Sequence, residues 1–238
     1  MIKYILFDAS YTTLFAITLG YFLFLYFVVG YLFLFTCKKL EGLNILNKII
    51  AQKVPKSQTV FEIKHSLKSI VIFGFSILPI IFLVRLEKIN FLPDTLWNLI
   101  TGLILLNIWN EIHFYVVHRI MHQKFMMKKV HYIHHKSLVP TVFSVYSFHW
   151  LEALLLSTVP LSIVPFIPFS FTAIALYPMS SILLNFAGHC NYRFGKGKGE
   201  SWRLFGTHHN EHHSKGRQNY GFAINFLDKL FSYKNLKK

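Results

Sequence analysis

Acidic side chains are scarce in this chain: ten Asp and Glu stand against 25 Lys and Arg, giving a formal net charge of +15 over 238 residues. Such an excess would suit a polyanion-binding domain if the cations formed one soluble patch. They fall instead between long apolar runs, so no nucleic-acid partner is expected and the charge is read as setting membrane orientation. Cysteine is nearly absent. Cys37 and Cys190, far apart in sequence, match neither a disulfide framework nor a paired thiolate metal site, and they leave the redox compartment open. Also missing are a Gly-x-Gly-x-x-Gly nucleotide fingerprint, a P-loop and a His-Glu-x-x-His helix, which excludes nucleotide chemistry built into the chain and disfavours a zinc hydrolase. The first apolar run is too long for a signal h-region and lacks a small-residue cleavage site, so it is read as a retained span.

What the sequence has in abundance is apolar surface: 53% of residues are hydrophobic and 17% aromatic, with a mean hydropathy of +0.42. That composition describes an integral membrane protein. Tyr11 to Phe35 carries no charge and, at ~1.5 Å per residue, more than crosses a hydrocarbon core of ~30 Å. The basic stretch from Cys37 to Lys68 is predicted to lie on the membrane surface, on the cytoplasmic side. Ser69 to Val84, with a kink at Pro79, and Leu96 to Val117 are the next two spans. Residues 147–186 are interrupted by Pro160, Pro165 and Pro168 and read as two short spans or a helical hairpin, with "FGKGKGES" a loop beyond them. The expected fold is all-α: a multi-span transmembrane bundle of five spans, or three and a hairpin, under a histidine-rich helical cap on the cytoplasmic face. An N-terminal transmembrane and amphipathic region, 1–95, is expected to precede a histidine-box domain, 96–238.

Thirteen histidines are present, and six of them form two copies of His-x-x-His-His, "HYIHH" at His131, His134 and His135 and "HNEHH" at His209, His212 and His213. A third box, "HRIMH", holds His118 and His122. Residues three or four apart share a helix face, so each box is a set of imidazoles aimed one way. Neutral imidazole ligates zinc, iron and copper, and eight such donors exceed one tetrahedral centre, so two metals are the economical reading. His189, four residues after Asn185 in "NFAGHCNYRF", adds a ninth donor. His65, His113 and His208 lie off these faces and are not expected as ligands, and Cys190 is read as a packed small residue.

A polar stripe runs up the third span through Asn107, Glu111, Tyr115, His118 and His122. Intramembrane carboxylates are costly and face bundle interiors, so Glu111 either accepts a hydrogen bond from a ligating imidazole or bonds another helix. His149 and Glu152 in "SFHWLEALL" pose the same choice.

The order "HRIMH", "HYIHH", "FHWLE", "NFAGH", "HNEHH" and "NYGFAINFLDKLFSY", from about Leu96 to Tyr233, closely resembles the sterol desaturase and fatty acid hydroxylase superfamily of membrane non-haem di-iron enzymes. The resemblance implies metal ligation by His118, His122, His131, His134, His135, His189, His209, His212 and His213, with Glu111, His149, Glu152 and Asn185 as candidates for orienting them. Asn185 stands where several members have histidine, and Trp150 where the family has proline. It further implies two iron ions, for which zinc can substitute in purified protein, and dioxygen-dependent hydroxylation or desaturation of a lipid such as a sterol or fatty acyl chain. Electrons would come from a separate donor, cytochrome b5-like or ferredoxin-like. The membrane, endoplasmic reticulum or bacterial inner membrane, is not distinguished. The rivals are a histidine-rich metal transporter, whose ligands would sit at mid-span, and a zinc-dependent membrane hydrolase.

Overall fold

The computed structural model describes residues 4–194, 207–216 and 218–231. Apolar composition makes the chain helical because a backbone inside a membrane must satisfy its own polar groups. Helix α1 (Tyr11–Leu23) starts where the Ser10 hydroxyl accepts the Thr13 amide. It runs through a wider π-type turn, Phe24–Val29, into α2 (Gly30–Gly42). A short strand β1 (Leu46–Lys48) follows, then α3 (Lys56–Gly74), α4 (Leu78–Arg85) and α5 (Leu96–Met121), the last capped by Thr95. Two short helices, α6 (Lys124–Met126) and α7 (Tyr132–His135), flank a π-type turn at Met127–His131. Next come α8 (Trp150–Ser157), α9 (Phe171–His189), β2 (Tyr192–Phe194), α10 (Thr207–Lys215) and α11 (Phe226–Leu230).

Among the described residues, four helical stretches are long and apolar enough to cross a membrane: Tyr11–Gly42, Lys56–Arg85, Leu96–Met121 and Phe171–His189. Two sequence expectations change. The basic stretch from Cys37 to Lys68 is not one surface-lying segment, because it contains the end of α2, strand β1 and most of α3. Its lysines mislead: Lys56, Lys64 and Lys68 occupy the exposed side of α3, while Glu62, Ser66, Ser69 and Ile70 occupy the buried one. Glu62 is kept inside by hydrogen bonds from the Thr141 hydroxyl at 2.6 Å and the Gln58 amide at 2.8 Å. Within 147–186 only α9 has spanning length, since α8 has eight residues and reaches ~12 Å. The break in the second span falls at residues 75–77, just before Pro79 in the first turn of α4. The glycine-rich stretch expected as a loop lies outside the described residues beyond Phe194.

Helices α5 and α9 lie side by side. At Gly102 an added Cβ would come within 2.8 Å of the Ala173 Cβ, so small residues set their separation. One apolar core joins Phe22, Leu25 and Tyr26 to Val145, Tyr146, Ile182 and Phe186, and so draws the N-terminal helices against the region of the histidine boxes. Strand β1 pairs antiparallel with β2, Leu46 opposite Phe194, which ties the end of α2 to the chain leaving α9. The bundle thereby fixes one end of α5 and one end of α9 next to each other.

Candidate metal centre

Each histidine is delivered by the end of an element. The last turn of α5 carries His118, and His122 caps that helix. The π-type turn and α7 carry His131, His134 and His135; α9 ends on His189; α10 carries His209, His212 and His213. Their ring nitrogens gather into two groups, His118, His122, His131, His135 and His212 in one and His134, His189, His209 and His213 in the other. Within each group the ligand atoms all lie within 4.8 Å of one another.

The sequence reading has each box aimed in one direction; His118 and His122 do share the first group, but the two His-x-x-His-His copies are split. At 100° per residue, the third and fourth positions after a histidine diverge by a quarter turn or more, so adjacent imidazoles address different groups. His131 and His135 enter the first group while His134 enters the second. The other copy does the reverse: His209 and His213 enter the second group and His212 the first. The two copies face each other and exchange one histidine each.

In the first group Nε2 of His118 lies 3.1 Å from Nε2 of His131, and Nε2 of His212 lies 3.0 Å from that of His122 and 3.2 Å from that of His135. In the second, Nε2 of His134 and His189 are 3.4 Å apart and those of His209 and His213 3.2 Å. The contact between His118 and His131 cannot be a hydrogen bond between neutral rings. Nδ1 of His118 donates to the Tyr220 carbonyl at 2.8 Å, Nδ1 of His131 to Glu152 Oε1 at 2.7 Å, and Nδ1 of His212 to the Gln218 carbonyl at 2.7 Å. A neutral imidazole has one N–H, so all three rings present an Nε2 lone pair to their group, and those of His118 and His131 face each other. Two nitrogens bound to one metal at ~2 Å stand about 3 Å apart, so the donor set fits a cation in each group.

Burial keeps the rings in the ligating form. It holds His131, His134, His209, His212 and His213 well below the usual imidazole range, and neighbouring histidines add to the shift. Burial likewise takes His122 down to about 3 and His135 to about 4. The carboxyl of Glu152 is pushed up by burial, so its contact with His131 is a hydrogen bond inside a dry interior, where a nearby cation would favour the carboxylate.

The residues considered for orienting these rings separate clearly. Glu152 touches His131 directly, and the Asn185 carbonyl accepts from Nδ1 of His189 at 3.0 Å while the Asn185 side chain donates to the Val145 carbonyl. Glu111 holds no imidazole. Its carboxylate accepts the amides of Phe222 and Ala223 at 2.8 and 2.9 Å, bracing the segment that presents the Tyr220 carbonyl to His118. His149 caps α8 by accepting the Leu151 amide and stands apart from both groups. His65, His113 and His208 bond to the Phe61 carbonyl, Thr158 and Asn225, also outside the groups. Cys190 packs in the core within reach of Cys37, its thiol toward the Ala187 and Tyr192 carbonyls.

Sequence reasoning passed over Asp228, which accepts the Tyr220 and Gly221 amides at 2.9 and 2.8 Å. The signal was the glycine: a Cβ at Gly221 would collide with the Ile224 carbonyl and crowd both Glu111 and Asp228. A chain wrapped this tightly between two carboxylates is built to place its carbonyls.

Residues 103–233, more than half of the chain, match the family described as fatty acid hydroxylase. The chain belongs to this family. All nine gathered histidines fall inside the matched stretch. Among curated proteins, the chain is 29% identical over 164 residues to a Delta(7)-sterol 5(6)-desaturase of Gibberella zeae, covering 65% of this chain and 44% of that protein. It is 29% identical over 140 residues to sphinganine C4-monooxygenase 1 of Arabidopsis thaliana, covering 56% of this chain and 49% of that protein. The chain thus spans about half or less of the length of these relatives. No solved structure matches.

Proposed function

We propose that this family member is a multi-pass membrane oxygenase that hydroxylates or desaturates a lipid, using dioxygen, external electrons and two iron ions held by the nine histidines. The observation that carries the reading is the pair of imidazole groups whose Nε2 atoms face each other at metal-sharing distances. Iron bound there would supply the capacity to activate dioxygen and take hydrogen from an unactivated C–H bond.

The chain's part is to position the lipid and exclude water. Directly against the histidines, Phe114 packs with its ring tilted 4.9 Å from that of His118, and Phe148 likewise 4.9 Å from His134. Both rings line a cavity of about 90 Å³ together with Asn185, Phe22 and Tyr146. This chamber shares Phe22, Ser76, Pro160, Tyr177 and Pro178 with a second apolar cavity of about 370 Å³, which reaches the exposed Ile17 and Leu176 on the outside of the bundle. The two together form a route by which a lipid enters sideways and brings one carbon under the metals while the aromatic lining keeps water out. Lys124, Lys128, Lys129 and Lys136 are exposed on the segments that carry the first two boxes. They suit docking of an acidic electron donor of the cytochrome b5 or ferredoxin type, and by the positive-inside tendency they support a centre on the cytoplasmic face. In this reading residues 96–238 carry the chemistry and 1–95 supply one wall of the lipid route.

The test uses variants that each remove one ligand from a different group. His134→Ala and His212→Ala are expected to lower bound iron, measured by elemental analysis, and to abolish the oxidised product in comparative lipid mass spectrometry of cells with and without the gene. His65→Ala should do neither. Full product formation by His134→Ala would refute the assignment.

A further inference from the structure

The chamber beneath the histidines is not uniformly apolar, and its polar side is organised. Asn110, Tyr177, Ser181 and Asn185 all line it. Tyr177 donates its hydroxyl hydrogen to Asn110 Oδ1 at 2.8 Å. That contact turns the amide oxygen of Asn110 toward Tyr177. The other end, Nδ2, has no hydrogen-bond partner, although Asn110 is only 6% exposed.

A buried amide donor left unsatisfied is costly, because it has given up water without gaining an acceptor. Two other polar side chains of the chamber do have partners: Asn185 donates to the Val145 carbonyl and Ser157 to the Leu154 carbonyl. Asn110 stands two helical turns before His118, ~12 Å along the α5 axis, with Phe114 between them on the same face. The unspent donor is thus held at the chamber, on the membrane side of the ligands.

We propose that Asn110 is a specificity-determining residue: its Nδ2 donates to an oxygen on the bound lipid, so the chamber selects a lipid bearing a hydroxyl or carbonyl over the same skeleton without it. This rests on the reading of the site as a lipid oxygenase and narrows its substrate class. The hydroxyl could belong to a ring lipid or to a long-chain alcohol, and the experiment separates the two.

The purified full chain, in detergent, is given tritiated 1-octadecanol or octadecane in one arm and tritiated cholesterol or cholestane in the other, and retained label is measured at equilibrium. In at least one arm the hydroxylated lipid is expected to bind about ten-fold more tightly than its partner, and that arm identifies the skeleton. Asn110→Leu, similar in size, should bring the ratio to within about two-fold by weakening the hydroxylated lipid alone. Removing metal with a chelator should leave the ratio unchanged, because the donor is built from α5 and α9. Equal retention of both members in both arms, as expected if water satisfies Nδ2, would overturn the inference and leave the oxygenase reading standing. Retention of none of the four lipids would overturn both. A preference that survives in Asn110→Leu would show that another group reads the oxygen.

Discussion

Glu152 offers the sharpest probe of the centre, because it acts on one imidazole without being a donor in either group. Its Oε1 lies 2.7 Å from Nδ1 of His131, and both side chains are almost fully buried, at 3% and 1% exposure. Changing Glu152 to Leu leaves the His131 N–H without an acceptor in a dry interior, a penalty of about 1–3 kcal/mol. The ring can relieve that penalty by changing tautomer or rotating, and either move takes the Nε2 lone pair away from His118 and His135, each 3.1 Å off. Loss of such a carboxylate–histidine contact typically costs 10–100-fold in metal affinity, or about 1.4–2.7 kcal/mol, which agrees with the desolvation figure. Glu152→Gln keeps an oxygen for Nδ1 and should fall at the mild end, about ten-fold. The assay is titration of the metal-free chain with Co(II), followed by its visible absorption, against a chelator of known affinity. One of two binding steps should weaken while the other holds, since His131 belongs to the first group only. His149→Ala, at a residue outside both groups, serves as control. Wild-type affinity at both steps in Glu152→Leu would refute the argument that His131 is held for a metal.

Three further outcomes follow from the geometry. Gly221→Ala forces a Cβ against the Ile224 carbonyl and should displace the segment held by Glu111 and Asp228, lowering metal content at unchanged membrane insertion, as read by elemental analysis of the extracted protein. Gly102→Val should push α9 away from α5 and lower stability by about 1–3 kcal/mol, measured as a fall in the thermal midpoint in detergent. The chelator-treated chain should lose stability on acidification. Buried His122 and His135 titrate at about 3 and about 4, whereas unfolded histidine titrates near ~6.5, so the unfolded chain binds more protons between those values. The thermal midpoint should hold above pH ~6.5 and drop progressively toward pH ~4; a flat profile would contradict the burial of these rings.

How far the sequence discloses this molecule depends on which groups carry the information. The histidines were legible because ligand spacing is written in side chains, at intervals that a helix turns into one surface. The division of each His-x-x-His-His copy between two groups was not, since it depends on how α7 and α10 meet, and that is set by the bundle. The carbonyls of Tyr220 and Gln218 have no signature, as every residue has one. Glu111 stood out as a costly intramembrane carboxylate, yet its partners are backbone amides 111 and 112 residues further along. The lysines of α3 signalled a surface segment because charge pattern reports the wet side of a helix and is silent on the side that packs. The separation of Cys37 from Cys190 along the chain likewise concealed that they share one core.

The exchange of one histidine between the two His-x-x-His-His copies has a consequence for assembly. Neither seat can be completed by the elements that precede α10, since His212 belongs to one and His209 and His213 to the other. A nascent chain that has not yet emerged past this last stretch presents two half-built cradles. On the proposed reading, capture of metal would be deferred until synthesis has passed α10, whose histidines complete both groups together.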